Sequence, residues 1–126
     1  MRDLNEISGT VLDSAIEVHR TLGPGLLESV YAQALELELG LRGLEVRREV
    51  PLAANYKGKT FDAAYRLDLL VENGVIVELK VVEQLLAVHK AQLLSYLKLS
   101  GLSLGLLINF NVPKLKDGVK RVVNNL

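Results

Sequence analysis

Asp68, Glu78 and Lys80 are charged residues set inside apolar runs, in the stretch from Tyr65 to Tyr96 that holds two such runs, an Asn73-Gly74 turn and a helical segment. Strands of this composition bury both faces, so a charge inside them needs a partner or a task. Two carboxylates and an ammonium gathered within roughly 5 Å across a strand pair are costly to bury without a cation. The fitting occupant is a hard divalent ion, Mg²⁺ or Mn²⁺, held by one or two carboxylates with waters and phosphate oxygens. The plainer alternative is a structural ion cluster, in which desolvation offsets most of the Coulomb gain.

The turn decides whether the three groups meet. A two-residue Asn73-Gly74 loop sets Leu69 opposite Glu78 and sends Asp68 to the other face. A three-residue Glu72-Asn73-Gly74 loop, with Gly74 left-handed in a bulge, pairs Val71 with Val75 and Asp68 with Glu78. The second is expected here, because Glu-Asn-Gly suits it and because it gathers the charges. Glu78 and Lys80 share a face in either case.

Around this hairpin the chain reads as helices and strands in the order ααβββαββ. Ile7, Val11, Ala15, Val18 and Leu22 mark an amphipathic helix over residues 4 to 22, stopped by Gly23 and Pro24. Leu26 to Leu41 gives a second helix, with Leu27, Val30, Ala34, Leu37 and Leu41 as its apolar stripe and Tyr31, Leu35 and Leu39 beside it; core packing is the reading for Tyr31. Glu45 to Tyr56 reads as a strand in which Pro51 indicates an edge or a bulge. After the Lys57-Gly58 turn, Lys59 to Val71 and Val75 to Val82 form the hairpin. Leu85 to Leu99 is a third helix, Leu104 to Phe110 a buried strand containing Gly105, Lys114 to Gly118 a polar turn, and Val119 to Asn124 a short last strand. The third helix would be a right-handed crossover between parallel strands. Asn109 could cap a strand end.

One domain spanning residues 1–126 is expected, large enough to bury about two-thirds of its unfolded surface, with 49% hydrophobic residues. Fifteen basic and fifteen acidic residues cancel, so the chain lacks the charge of a constitutive nucleic-acid binder and any such contact must be local. Aromatic content is 5%, and no nucleic-acid-stacking aromatic cluster stands out in the sequence. Without cysteine there is no disulfide framework or thiolate metal site. No signal-like core opens the chain and no run approaches the roughly 18 apolar residues of a membrane span, so a cytoplasmic protein without a membrane partner is expected.

An aspartate followed on the next strand by Glu78-Leu79-Lys80 resembles the motif of the PD-(D/E)xK nuclease superfamily, although Leu67 stands where its nominal proline would be. Gln92-Leu-Leu-Ser-Tyr96 resembles the Gln-x-x-x-Tyr helix of the RecB-type branch. Gly25-x-x-Glu28-x-x-Tyr31 resembles the signature of the GxxExxY proteins, a bacterial and archaeal family grouped with that superfamily; His89 to Leu97 and Gly105 to Phe110 extend the likeness over most of the chain. The resemblance implies an α/β fold, an α+β mixed sheet with a restriction-endonuclease-like αβββαβ core and an extra N-terminal helix. It implies a metal-dependent nuclease acting on DNA or RNA and leaving a 5′-phosphate and a 3′-hydroxyl. Asp68 and Glu78 would hold Mg²⁺ or Mn²⁺, the Leu79 carbonyl would be a further ligand, and Lys80 would position or deprotonate water or stabilise the transition state.

Several other residues have two readings each. Glu28, in a first helical turn, either interacts with the helix dipole or joins Asp68 and Glu78 as a ligand. His19 either packs near the end of its helix or serves as a metal-ligand or phosphate-binding histidine of the RecB-type kind. His89, Gln92 and Tyr96 fall on one helical stripe, where Gln92 and Tyr96 would orient the site or a phosphate. Arg47, Arg48, Lys57, Lys59, Lys114, Lys116, Lys120 and Arg121 read as solvated charges unless several line a cleft. A different class of protein remains in view, a nuclease fold that binds nucleic acid or protein without turnover. A homodimer using Leu99, Leu102, Leu104 and Leu106, or a need for a partner protein, is a further expectation.

Overall fold

A computed structural model describes residues 3–126. Its elements are α1 (Leu4–Leu22), α2 (Glu28–Leu41), β1 (Val46–Tyr56), β2 (Lys59–Val71), β3 (Val75–Lys80), α3 (Ala87–Ser100), β4 (Leu104–Asn109), a 3₁₀ turn (Leu115–Gly118) and β5 (Val119–Val123). The strands form one sheet in the order β1-β2-β3-β4-β5. Only β3 and β4 run parallel, because α3 carries the chain back between them. The result is the expected mixed sheet with an αβββαβ-like core and an extra N-terminal helix.

Alternation along the strands divides the interior in two. Leu69, Val71, Val77, Leu79, Leu106 and Ile108 face α1 and α2, and Leu70, Ile76 and Leu107 face Leu93, Tyr96 and Leu97 of α3. Gly105 permits the second contact: a Cβ there would lie 2.9 Å from the Leu93 side chain, so glycine lets α3 sit directly on β4. Pro51 lies on the edge strand β1, opposite Arg66, where its missing N–H is tolerated.

Two local expectations are corrected. The loop joining β2 to β3 does have three residues, with Val71 paired to Val75, but Glu72 and Asn73 take positive φ (54° and 53°) and Gly74 does not. Gly74 instead packs beside Leu4, whose side chain would be 3.1 Å from an added Cβ. The apolar stripe of α2 is inverted as well. Tyr31, Leu35 and Leu39 are fully buried, and Leu27, Leu37 and Leu41 are 74%, 64% and 73% exposed. The aromatic ring chooses the face: Tyr31 stacks on Phe110 at 4.4 Å, and its hydroxyl donates to Gly23 O (2.5 Å) while accepting from Leu26 N–H (3.1 Å).

Of the leucines assigned to an interface, Leu104 and Leu106 are interior, whereas Leu99 is 40% exposed. Among the described residues, no helix is long and apolar enough to cross a membrane.

Candidate functional site

The β2–β3 ladder stops at Leu69 and Val77. One step further, Asp68 and Glu78 take its place with their side chains. The Asp68 N–H donates to Glu78 Oε1 at 3.2 Å, and the Leu79 N–H donates to Asp68 Oδ2 at 2.8 Å. Each carboxylate therefore satisfies a main-chain donor of the opposite strand, and the two strands part between them. This is the pairing that the three-residue loop requires.

The electrostatics follow from this crowding. Glu78 is 5% exposed. Burial first, then the Asp68 charge and a hydrogen bond between the two carboxyl groups, push its pKa up to about 9, with Lys80 opposing weakly. Glu78 therefore favours its protonated form, which relieves the repulsion from Asp68. Lys80, two residues along β3, is half-buried on the same face as Glu78.

Two helices complete the surroundings. Glu28 is the first residue of α2, whose preceding residue, Leu27, supplies no side-chain cap. Its carboxyl is raised by partial burial, then by Asp68, and lowered by Lys80, so the group belongs with the charged cluster although it opens to solvent. From α3, Tyr96 approaches the other side; burial raises its hydroxyl pKa, with further contributions from Glu78, Asp68 and Tyr65. A cleft of about 260 Å³ is lined by Glu28, Ser29, Ala32, Arg48, Glu49 and Asp68.

The remaining expected residues lie in other settings. His19 Nε2 is 2.8 Å from Val112 O, in the core beside Phe110. Gln92 is exposed. His89 Nδ1 accepts from Leu86 N–H (2.9 Å) at the start of α3, so its stripe is divided between a cap, a solvent-facing amide and a site-facing phenol. Asn109 bridges Val82, accepting from its N–H at 3.1 Å and donating to its carbonyl at 2.8 Å, and holds the end of β3 to β4.

Glu49 was not singled out in the sequence, and Arg48 was named only among the charges that read as solvated unless several line a cleft. Arg48 pairs with Leu69 and Val50 with Leu67, which sets Glu49 level with Asp68. Its φ of 55° is unusual for a strand residue with a side chain. Arg48 is held by Glu36 at 3.2 Å. The sequence contained a signal, acidic and basic residues in a strand expected to adjoin β2, but only the register aligns them.

The donors are all hard oxygen ligands. Main-chain donors engage one oxygen each of Asp68 and Glu78, and Glu28 lines the same cleft as Asp68, a set that suits Mg²⁺ or Mn²⁺ better than a soft ion. No group of three or more acidic or histidine side chains among the described residues forms a ready-made cage.

A family profile described as the PD-(D/E)XK nuclease superfamily matches residues 5–122. The chain belongs to that superfamily, and its mixed sheet and crossover helix agree with that membership. No curated protein and no solved structure matches the chain.

Proposed function

We propose that the protein is a metal-dependent nuclease that hydrolyses phosphodiester bonds of DNA, with RNA as the alternative substrate. Within the superfamily we group it with the GxxExxY proteins, on Gly25, Glu28 and Tyr31. The observation that carries the proposal is the reciprocal Asp68–Glu78 pairing around Leu79, with Lys80 on the same face.

Asp68 and Glu78 would hold the divalent ion together with the Leu79 carbonyl, with Glu28 as an added ligand or water anchor; His19, engaged with Val112 O in the core, is left out of this set. When bound, the ion would offset charge on the phosphate oxygens and acidify an attacking water. For that to happen Glu78 must give up its proton, and each carboxylate must turn a free oxygen into the cleft. Lys80 would orient the water or hold the phosphate, and Tyr96 with Gln92 would position the strand. Water oxygen bonds to phosphorus as the bond from phosphorus to the 3′ oxygen breaks, giving a 5′-phosphate and, after proton transfer, a 3′-hydroxyl.

A second reading has a specific observation in its favour. The carboxyls are occupied by main-chain donors and by each other, without a preassembled three-group cage, and this arrangement supports a module that binds without cutting more directly than it supports turnover. The two readings separate on a panel of duplex, single-stranded and branched substrates with Mn²⁺. Cleavage lost in Lys80→Ala supports the nuclease; no cutting of any member leaves the binding module.

A further inference from the structure

Beyond Leu52 and Tyr65 the β1–β2 hairpin leaves the sheet as an arm, and from Ala53 to Ala64 none of its residues is buried. Tyr56 pairs with Lys59, Ala54 with Phe61 and Leu52 with Tyr65, and cross-strand partners point to the same side. Tyr56, Lys59, Phe61 and Tyr65 therefore share one face. That face is the α3 side, because Leu52 packs on the α3 core and the Tyr65 ring lies 5.2 Å from Tyr96. A line of aromatic rings thus starts beside the carboxylate pair and runs to the tip of the arm, using four of the six aromatic residues in the chain. The count of aromatic residues is low, but these four rings lie along one face.

We infer that this arm is a binding track for single-stranded nucleic acid, on which bases stack against Phe61, Tyr56 and Tyr65 while Lys57 and Lys59 meet the phosphates. Tyr56, Phe61 and Tyr65 are 64%, 45% and 41% exposed, so their rings are available. Lys57 Nζ lies 5.4 Å from the Tyr56 ring centre and Lys59 Nζ 5.7 Å from that of Phe61. From Leu52 to Arg66, both included, three cations (Lys57, Lys59 and Arg66) stand against one carboxylate, Asp62, in a chain that is neutral as a whole. An apolar protein partner would find an ammonium at these rings; a polyanion with flat bases finds both complements.

Spacing selects the single strand. Tyr56 is opposite Lys59 and so stands diagonally from Phe61, while Phe61 and Tyr65 are separated by the irregular stretch of β2; diagonal neighbours are about 7–8 Å apart, whereas stacked nucleotides of a duplex strand advance about 3.4 Å. Rings at twice the stacked interval or more accept bases drawn apart and cannot enter a continuous stack. The inference deepens the nuclease proposal, since a strand so held would lead into the cleft, but its test requires no cutting.

The test is fluorescence anisotropy in EDTA with labelled oligothymidylate, oligouridylate and a blunt duplex. The expected result is tighter binding of single strands than of the duplex, weakened about 5- to 150-fold by Phe61→Ala. Phe61→Trp should retain affinity and Phe61→Leu should not, which separates stacking from burial; Tyr56→Ala repeats the test at the tip, away from the core. Lys59→Ala should lower the slope of log affinity against log salt by about 0.7. The two oligonucleotides report whether the track prefers DNA or RNA. Equal binding by wild type and both alanine variants, a duplex bound as tightly as a single strand, or no binding at low salt would overturn the inference. Cutting without Phe61-dependent binding removes this inference alone, and Phe61-dependent binding without cutting removes the nuclease proposal alone.

Discussion

Two groups of polar side chains meet at α2, and they are satisfied in opposite ways. On the core side, Tyr31 is tied to Gly23 and Leu26, and His19 to Val112. Each is a single polar tip with a main-chain partner of complementary character. On the cleft side, Asp68, Glu78 and Glu28 are carboxyls crowded together, and two of them have their pKa raised by burial and by their neighbours. The first arrangement contributes to stability; the second detracts from it unless a proton or a cation is present. Glu28 and Tyr31 stand on the same turn of helix, yet one belongs to each group.

The largest expected effect falls on the cleft. Lys80→Ala should lower Mn²⁺-dependent cleavage by about 10²- to 10⁴-fold, the range for a positioned acid–base group, and should leave the melting temperature within a few degrees. A rate unchanged in single-turnover assays would place Lys80 outside the reaction.

The pH dependence follows from Glu78, whose carboxyl rises from 4.5 to about 9 on folding. Between those values the folded chain holds a proton that the unfolded chain releases, so stability is full below pH about 4.5 and is lost as pH rises to about 9. In EDTA the melting temperature should fall over that window, and Glu78→Gln should flatten the profile. Divalent-ion affinity should rise across the same window, because the ion must displace the proton. A wild-type profile as flat as that of Glu78→Gln would show that the pair is not protonated.

Glu28→Gln should weaken Mn²⁺ binding by about 10- to 100-fold if Glu28 orients the ligands, as measured by calorimetric titration. Tyr31→Phe, three residues away, should do the reverse. It should cost about 1–3 kcal/mol in denaturant unfolding, because Leu26 N–H and Gly23 O lose their partner, with Mn²⁺ affinity unchanged. Equal effects of both changes on metal affinity would erase the distinction between the two sides of the helix.

Much of this was legible in the chain itself. Glu72-Asn73-Gly74 indicated the loop length, and with it the meeting of Asp68 and Glu78, because a one-residue change in the loop would reverse every side chain on β2 relative to β3. The face of α2 was not legible. Both of its stripes are apolar, and the choice was made by Tyr31 stacking on Phe110, a contact between residues far apart in sequence. The left-handed residues were misplaced onto Gly74 because glycine tolerates positive φ most readily, while contact with Leu4 confines it. The shared face of the arm's aromatic rings could have been read from the Lys57-Gly58 turn, which sets Tyr56 against Lys59 and Phe61 against Ala54. Beyond it, Asp62, Ala63 and Ala64 face Ala53 alone, an irregularity that no pattern of residue types announces.

The most direct test is a Mn²⁺ titration followed by the electron paramagnetic resonance signal of the free ion, at pH 8, comparing wild type with Asp68→Asn. The wild type should remove the free-ion signal at low Mn²⁺, and Asp68→Asn should leave it close to that of buffer. Superimposable curves for the two proteins would contradict the assignment of a cation to the Asp68–Glu78 pair.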